Sequence, residues 1–386
     1  MSNRVYLDHV GTTPLDESVW QEMKPWFTTC FGNPTGLHQE ALVARAGVER
    51  ARVRVASFLN AGSTEEVIFT SSGTEALNLA FFGSAMANQG RGKHLIVSAT
   101  EHPALQGAAD ALCKKGFSCT RVSVDSLGFV DVEEILSELT DETTIVSVHL
   151  ANHDTGAIQP IRSIAEQLKH HQALLIVDAT PAAGWIPLDV QALGADVVIL
   201  SPHRFHGPAG VGILWRQRGI RLEPLFFGGQ QEFGLRPGTE NVAAIIGAGA
   251  AAELAGNRLT NSYGRWVEEL KWLWNEIQSA VSPVVLHGPL PGSQRVPRVL
   301  NFSLPDVEGE GMALALDLKG FAITSGAACV TNSLRMPPVL AAMGVDIKLG
   351  KSNLIISLGA DTSQSQLVAF LAALQSVVER FRSLRF

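Results

Sequence analysis

The sequence predicts an α/β protein in which a large unit with a mostly parallel, doubly wound sheet carries a smaller α+β unit. Three observations lead there. Nearly continuous apolar runs recur between about residues 64 and 215, at Val67–Thr70, Leu95–Ser98, Thr144–His149, Leu174–Asp178, Asp196–Ser201 and Gly212–Trp215. Strands covered on both faces read this way, because neither face meets water. Helical patterns at Thr74–Ala87, Pro103–Lys115 and Ile161–Lys169 fall between them, and such alternation implies parallel strands joined by crossovers. Sheets of this kind bind ligands beyond the carboxyl ends of their strands.

The rest of the chain changes character. A stretch punctuated by glycine and proline runs from Gly228 to Gly238. An Ala-rich helix is expected at Val242–Leu254, a charged helix at Arg265–Ala280, and a loop at Val284–Gln294. Val299–Ser303, Gly311–Leu318, Ala322–Thr324 and Leu354–Leu358 follow, then a C-terminal helix at Gln364–Arg382. Residues 15–257 are therefore expected to form the large domain. Residues 1–14 and 258–386 are expected to form the small one. At 386 residues the chain is long enough for two cores.

Composition narrows the function classes. Hydrophobic residues make up 46% and charged residues 17%, which is ordinary for a folded globular chain. A net charge of −7 argues against a general nucleic-acid binder. The start, Met1-Ser2-Asn3-Arg4-Val5-Tyr6, lacks the apolar core of a signal peptide, and charged residues break every long apolar run. A cytoplasmic protein that binds neither membrane nor nucleic acid is the expectation. The four cysteines, Cys30, Cys113, Cys119 and Cys329, form no CxxC pair or zinc spacing, so no metal site is expected. Cys329 stands apart in the small-residue run Thr324-Ser325-Gly326-Ala327-Ala328-Cys329.

Several segments at strand ends carry candidate chemistry. Ser71-Ser72-Gly73-Thr74-Glu75 opens a helix, which exposes N–H groups and a hydroxyl to an anion; an N-cap explains Thr74 equally well. His102, in Thr100-Glu101-His102-Pro103, is placed either to stack on a planar ring or to cap the next helix. Asp178 ends a buried strand, where a carboxylate needs a cation or a turn to cap. Ser201 and His203 follow the next strand, and Gly238-Thr239-Glu240-Asn241 brings another hydroxyl to a helix entry.

Taken together and in register, these segments make the chain resemble the cysteine desulfurases. That family belongs to the class V aminotransferase group of fold-type I pyridoxal-phosphate (PLP) enzymes, with selenocysteine lyase a near relative. The resemblance covers essentially the whole chain. It includes Leu7–Pro14, Phe31–Pro34, Thr70–Glu75, Glu101–Pro103, Asn152–Gly156, Val177–Ala179, Ser201–Gly212, Arg236–Asn241 and Ser325–Cys329. It implies that Gly73, Thr74, Ser201 and His203 bind the cofactor phosphate, with Thr239 joining from the other subunit of a homodimer. It implies that His102 stacks on the pyridine ring and that Asp178 pairs with the ring nitrogen. Cys329 would be the nucleophile that takes sulfur from cysteine and passes it, as a persulfide, to a sulfur acceptor or iron–sulfur scaffold protein.

Four positions depart from the family pattern. Arg204 stands where the lysine that forms the Schiff base is expected, and a guanidinium does not form that link. His153 replaces an asparagine near the cofactor's O3′, and Pro181 replaces a glutamine that donates to the same oxygen. Ile355 stands where an arginine would clamp the substrate carboxylate. The expectation is a desulfurase-like protein impaired in PLP chemistry, binding PLP non-covalently, phosphate alone or no cofactor. It would act through Cys329 as a persulfide carrier or candidate cluster ligand. Two alternatives stand beside it. One is an active desulfurase or selenocysteine lyase that takes His153, His203 or His206 as its base. The other is a non-catalytic dimeric regulatory subunit.

Overall fold

The computed structural model describes residues 4–326 and 336–383. Its strands are β1 (Val5–Tyr6), β2 (Val67–Thr70), β3 (His94–Ser98), β4 (Ser118–Val122), β5 (Thr143–Ser147), β6 (Leu174–Asp178), β7 (Val197–Leu200), β8 (Gly212–Arg216), β9 (Val285–His287), β10 (Val299–Ser303), β11 (Phe321–Ala322) and β12 (Asn353–Ser357). Its helices are α1 (Glu17–Met23), α2 (Gln39–Leu59), α3 (Gly73–Asn88), α4 (Pro103–Cys113), α5 (Val132–Ser137), α6 (Ile161–Leu168), α7 (Val190–Leu193), α8 (Val242–Val281), α9 (Gly309–Leu318), α10 (Pro338–Ala342), α11 (Ile347–Lys351) and α12 (Gln364–Ser383).

The large sheet has the order β2-β8-β7-β6-β5-β3-β4. Pairing is parallel from β7 through β4, and β8 runs antiparallel to both β7 and β2. The mostly parallel, doubly wound α/β fold is thus present. Alternate residues of a strand enter opposite cores. Val146, Leu175, Val177 and Val198 pack on one face with α2, α6 and α8. Ile145, Ile176, Val197 and Ile199 pack on the other with α3 and α4. Both faces are dry, so these strands have no polar face to show.

A second group of elements surrounds the antiparallel sheet β12-β10-β9 and the parallel pair β1-β11. Its core gathers Leu7, Leu273, Phe302, Ile356, Phe370 and their neighbours. The chain start therefore packs with the C-terminal third, where Val5 pairs with Phe321.

Three expectations are corrected here. The two helices expected at Val242–Leu254 and Arg265–Ala280 are one continuous helix, α8. The polar stretch between them looks like a breaker, yet Thr260 Oγ1 and Asn261 Nδ2 donate to the carbonyls of Gly256 and Asn257 one turn back (3.1 and 2.9 Å). Those groups are satisfied within the helix, so nothing ends it. Ala244, Ile245, Ile246, Ala248, Ala250–Ala252, Ala255 and Trp266 enter the first core, and Leu270, Leu273, Trp274, Ile277 and Val281 enter the small-sheet core. The loop expected at Val284–Gln294 contains β9, a three-residue edge strand too short to show a period. Helix α3 is capped by Ser72, not Thr74: Ser72 Oγ accepts from Glu75 N at 3.1 Å. Strand β4 carried no apolar signal, because its polar run Ser118-Cys119-Thr120-Arg121 lies at the sheet edge.

One buried ion pair ties the Gly228–Gly238 stretch to the sheet. Arg52 on α2 donates to both carboxylate oxygens of Glu232 (2.9 and 2.8 Å) and to the carbonyl of Val67 (2.7 Å). Glu232 also accepts from Phe69 N at 2.7 Å. Glu232 and Phe233 are both left-handed (φ 47° and 59°), a conformation costing roughly 1–2 kcal/mol per non-glycine residue. The pair holds that turn against the sheet. Removing one member strands the other charge inside the protein, so Arg52→Met is expected to destabilise the fold by about 3–5 kcal/mol. Urea unfolding followed by tryptophan fluorescence checks this; a loss below about 1 kcal/mol contradicts it.

Candidate functional site

Beyond the carboxyl ends of β3, β5, β6 and β7 lies a cavity of about 210 Å³. Each strand delivers a side chain to it. After β2, the turn into α3 places Gly73 and Thr74 in the wall. Ser71 N and Ser71 Oγ both donate to Glu75 Oε2, which fixes that turn. A Cβ at Gly73 would come within 3.1 Å of Ser201 Cβ, so the α3 entry approaches Ser201 this closely only because residue 73 is glycine. After β3, His102 caps α4: its Nδ1 accepts from Ala104 N at 3.1 Å. After β5, Asn152 Oδ1 accepts from Asp154 N and Thr155 N, both at 2.9 Å, a turn that sets His153 edge-on to His102 with ring centroids 5.6 Å apart. After β6, Asp178 is buried and accepts from Thr180 N at 2.9 Å.

The turn after β7, Ser201-Pro202-His203-Arg204, is held by its backbone carbonyls. The His203 carbonyl accepts from Thr13 N and Thr13 Oγ1, both at 2.8 Å. The Arg204 carbonyl accepts from Trp185 Nε1 at 3.3 Å and Arg298 Nη1 at 3.0 Å. Ser201, His203 and Arg204 thereby face the same cavity. A larger neighbouring cavity of about 520 Å³ shares His102, His153 and Arg204, and is also lined by Asp8, Asp154 and Ile355. Ile355 is buried with Val10 and Val299, so its wall is apolar.

The fold therefore brings together Gly73, Thr74, His102, His153, Asp178, Ser201, His203 and Arg204. Thr239 is exposed and does not line the cavity; Cys329 lies outside the described residues. Sequence reasoning assigned no role to His149 or Thr180, which also line the cavity. His149 was obscured because it closes an apolar run. Its signal is register, since it falls level with Asp178 when the β5–β6 pairing of Ser147 with Ile176 is extended by two residues.

Burial dominates the electrostatics. It lowers the pKa of His102, with Asp178 opposing. It pushes His153 well below its ordinary value, helped by the charges of His102, His149 and Arg204. His203 falls to about 4 through burial, then through Arg204 and Arg298. Asp154 rises to about 7 by burial, against the pull of Arg204. The imidazoles His153 and His203 are therefore neutral acceptors or donors at neutral pH, and Arg204 is a fixed cation among them.

Comparison with known proteins places this geometry. The family model described as aminotransferase class-V matches residues 5–370. The chain belongs to this family. It is 39% identical to a cysteine desulfurase IscS of Dictyoglomus turgidum over 100% of this chain and 97% of that protein. It is 38% identical to cysteine desulfurase IscS 1 of Archaeoglobus fulgidus over 98% of each. Among solved structures, a NifS-like protein superposes with a TM-score of 0.90 at 31% identity, covering 98% of this chain and 100% of the other. A NifS-like protein from Rickettsia africae superposes with a TM-score of 0.86 at 26% identity, covering 98% and 100%.

These relatives imply PLP, and the cavity fits part of that cofactor. Gly73, Thr74, Ser201 and His203 offer helix N-terminal donors, hydroxyls and an imidazole to a phosphate, and the buried Asp178 carboxylate suits a protonated ring nitrogen. None of the nine lysines of the chain lines this cavity.

The depressed histidines have a consequence for stability. His9, His203 and His287 are each held to about 4, by burial first. Between that value and the ordinary 6.5 the unfolded chain takes up protons that the folded chain refuses, so acid favours unfolding. Asp154, raised to about 7, acts in the opposite direction because its folded form retains a proton. With His94, His102, His153 and His206 also lowered, seven depressed histidines outnumber the five raised carboxyls Asp8, Asp154, Asp196, Glu240 and Glu269. The thermal midpoint is expected to drop from pH 7 to pH 5, and His203→Gln to flatten the slope. Melting curves at those pH values check this, and a midpoint that rises on acidification contradicts it.

Proposed function

We propose that this chain is a sulfur-mobilising protein of the cysteine desulfurase lineage that has given up covalent PLP chemistry. The observation that carries this is Arg204, seated in the cavity wall where no lysine lies. An amine is needed to hold an aldehyde and to shuttle a proton, and a guanidinium does neither. Losing such a general acid–base group costs ~10²–10⁴-fold in rate. Ile355 supports the same reading, because its own side chain, buried with Val10 and Val299, gives an amino-acid carboxylate no hydrogen-bond partner at that position.

In this proposal Gly73, Thr74, Ser201 and His203 hold the phosphate of a non-covalent ligand, His102 lies against its ring, and Asp178 faces the ring nitrogen. When bound, PLP would supply an electron-withdrawing ring. The chain's own residues would bind and orient it. Cys329 would act as persulfide carrier or cluster ligand toward a sulfur-acceptor or iron–sulfur scaffold protein. Two copies would pair so that Thr239 of each reaches the other's cavity. The exposed Phe226, Phe227 and Phe233, in the same segment of the chain as Thr239, support such pairing.

A second reading, an active cysteine desulfurase with atypical residues, is favoured by the retained Asp178, His102 and phosphate-facing wall, and by 39% identity to a named desulfurase. Alanine release from L-cysteine, with PLP and a reductant present, separates the two. The proposal expects no turnover beside an active control enzyme, and many turnovers per chain would overturn it. Arg204→Lys alone is expected to leave activity far below the control, since His153, Pro181 and Ile355 remain. Full activity from that one change would show that those three are tolerated.

A further inference from the structure

Two polar side chains at the cavity have no part in the proposal above. The side chain of Glu101 is 0% exposed and that of His149 is 3% exposed. Neither carboxylate oxygen of Glu101 and neither ring nitrogen of His149 makes a hydrogen bond among the described residues. Their nearest atoms, His149 Nδ1 and Glu101 Oε1, are 3.6 Å apart, just beyond direct hydrogen-bond range. Buried polar atoms without partners are costly, and native proteins rarely keep them without a purpose.

The sheet sets where this pair can act. Val148 N and Leu150 N donate to the carbonyls of Ile176 and Asp178 (3.2 and 2.8 Å), so the ladder continues past β5 and His149 stands level with Asp178. Both line the cavity. Glu101 follows β3, the strand on the other side of β5, and so stands behind His149 as seen from Asp178.

We propose that Glu101 and His149 form a carboxylate–imidazole dyad that turns an accepting nitrogen, His149 Nε2, into the cavity beside Asp178 to receive a proton donor from a bound phosphate compound. This rests on the reading that the cavity takes a phosphorylated pyridine. A carboxylate only accepts, so an imidazole carrying a single proton holds it on Nδ1, toward Glu101, which leaves Nε2 as an acceptor. A ligand entering the cavity tightens such a pair, as apo contacts of this kind are commonly long. Glu101 is then a positioning residue, and His149 touches the ligand. The contact favours a ligand with a hydroxyl or ring N–H at its far end. It adds nothing for inorganic phosphate, whose place is at the α3 end of the cavity.

Long-range ¹H–¹⁵N spectra of the full-length protein at neutral pH test the dyad without any ligand. His149 is expected to carry its proton on Nδ1 alone. Glu101→Met should abolish that preference, and Glu101→Gln, whose amide oxygen still accepts, should largely keep it. A ring protonated on Nε2, a doubly protonated ring, or a tautomer indifferent to Glu101→Met overturns the proposal. Calorimetry then tests the contact, with pyridoxine 5′-phosphate as probe because it has hydroxyl donors and no aldehyde. His149→Leu should weaken it about tenfold and leave inorganic phosphate unaffected. An equal loss for both, or no loss for either, overturns the ligand contact. A wild-type protein that shows the Nδ1 tautomer yet binds neither compound would overturn the cofactor reading and leave the dyad standing.

Discussion

The dry interior of the seven-stranded sheet governs the rest of this structure. Both faces of β3, β5, β6 and β7 are covered, so their central side chains, such as Ile96, Val146, Ile176 and Val198, are apolar. Polar groups can survive only where the strands end and the chain turns. Parallel pairing brings those ends to one edge, and the cavity follows from that edge. His102, His149, Asp178 and Ser201 come from four adjacent strand ends, far apart in sequence, without any of them contacting another before the sheet forms.

The turn after β7 is the most heavily anchored part of that edge. Thr13 comes from the N-terminal segment, Trp185 from the β6–β7 connection, and Arg298 from the approach to β10, and all three bind its carbonyls. Arg298 also binds the carbonyl of Pro181 at 3.3 Å and lies over Trp185 at 4.7 Å. The guanidinium of Arg204 is therefore carried on a rigid mount joined to both groups of elements. Its charge reaches Asp8, His102, His153, Asp154 and His203. Burial is the larger influence on each of these groups; the cation adds to the lowering of the imidazoles and opposes the rise of Asp8 and Asp154.

Much of the fold was legible along the chain. The buried strands β2, β3, β5, β6, β7 and β8 announce themselves as apolar runs, and α3, α4 and α6 as the periods between them. Two of the strands that escaped have physical reasons. β4 and β9 are edge strands, one polar and one only three residues long. The middle of α8 is rich in residues that favour turns, and two of their side chains donate to carbonyls one turn earlier.

The sequence by itself determined the fold class, the family and the identity of most cavity residues, because these follow from local pattern and from motifs that keep their spacing. Only the tertiary structure decided which residues meet. It left Thr239 on the surface and placed Ile355 in an apolar wall. It brought His149 level with Asp178 and set Glu101 behind it. Register between distant strands, and the burial that makes an unpaired polar atom costly, are properties of the assembled sheet and leave no mark on the one-dimensional pattern.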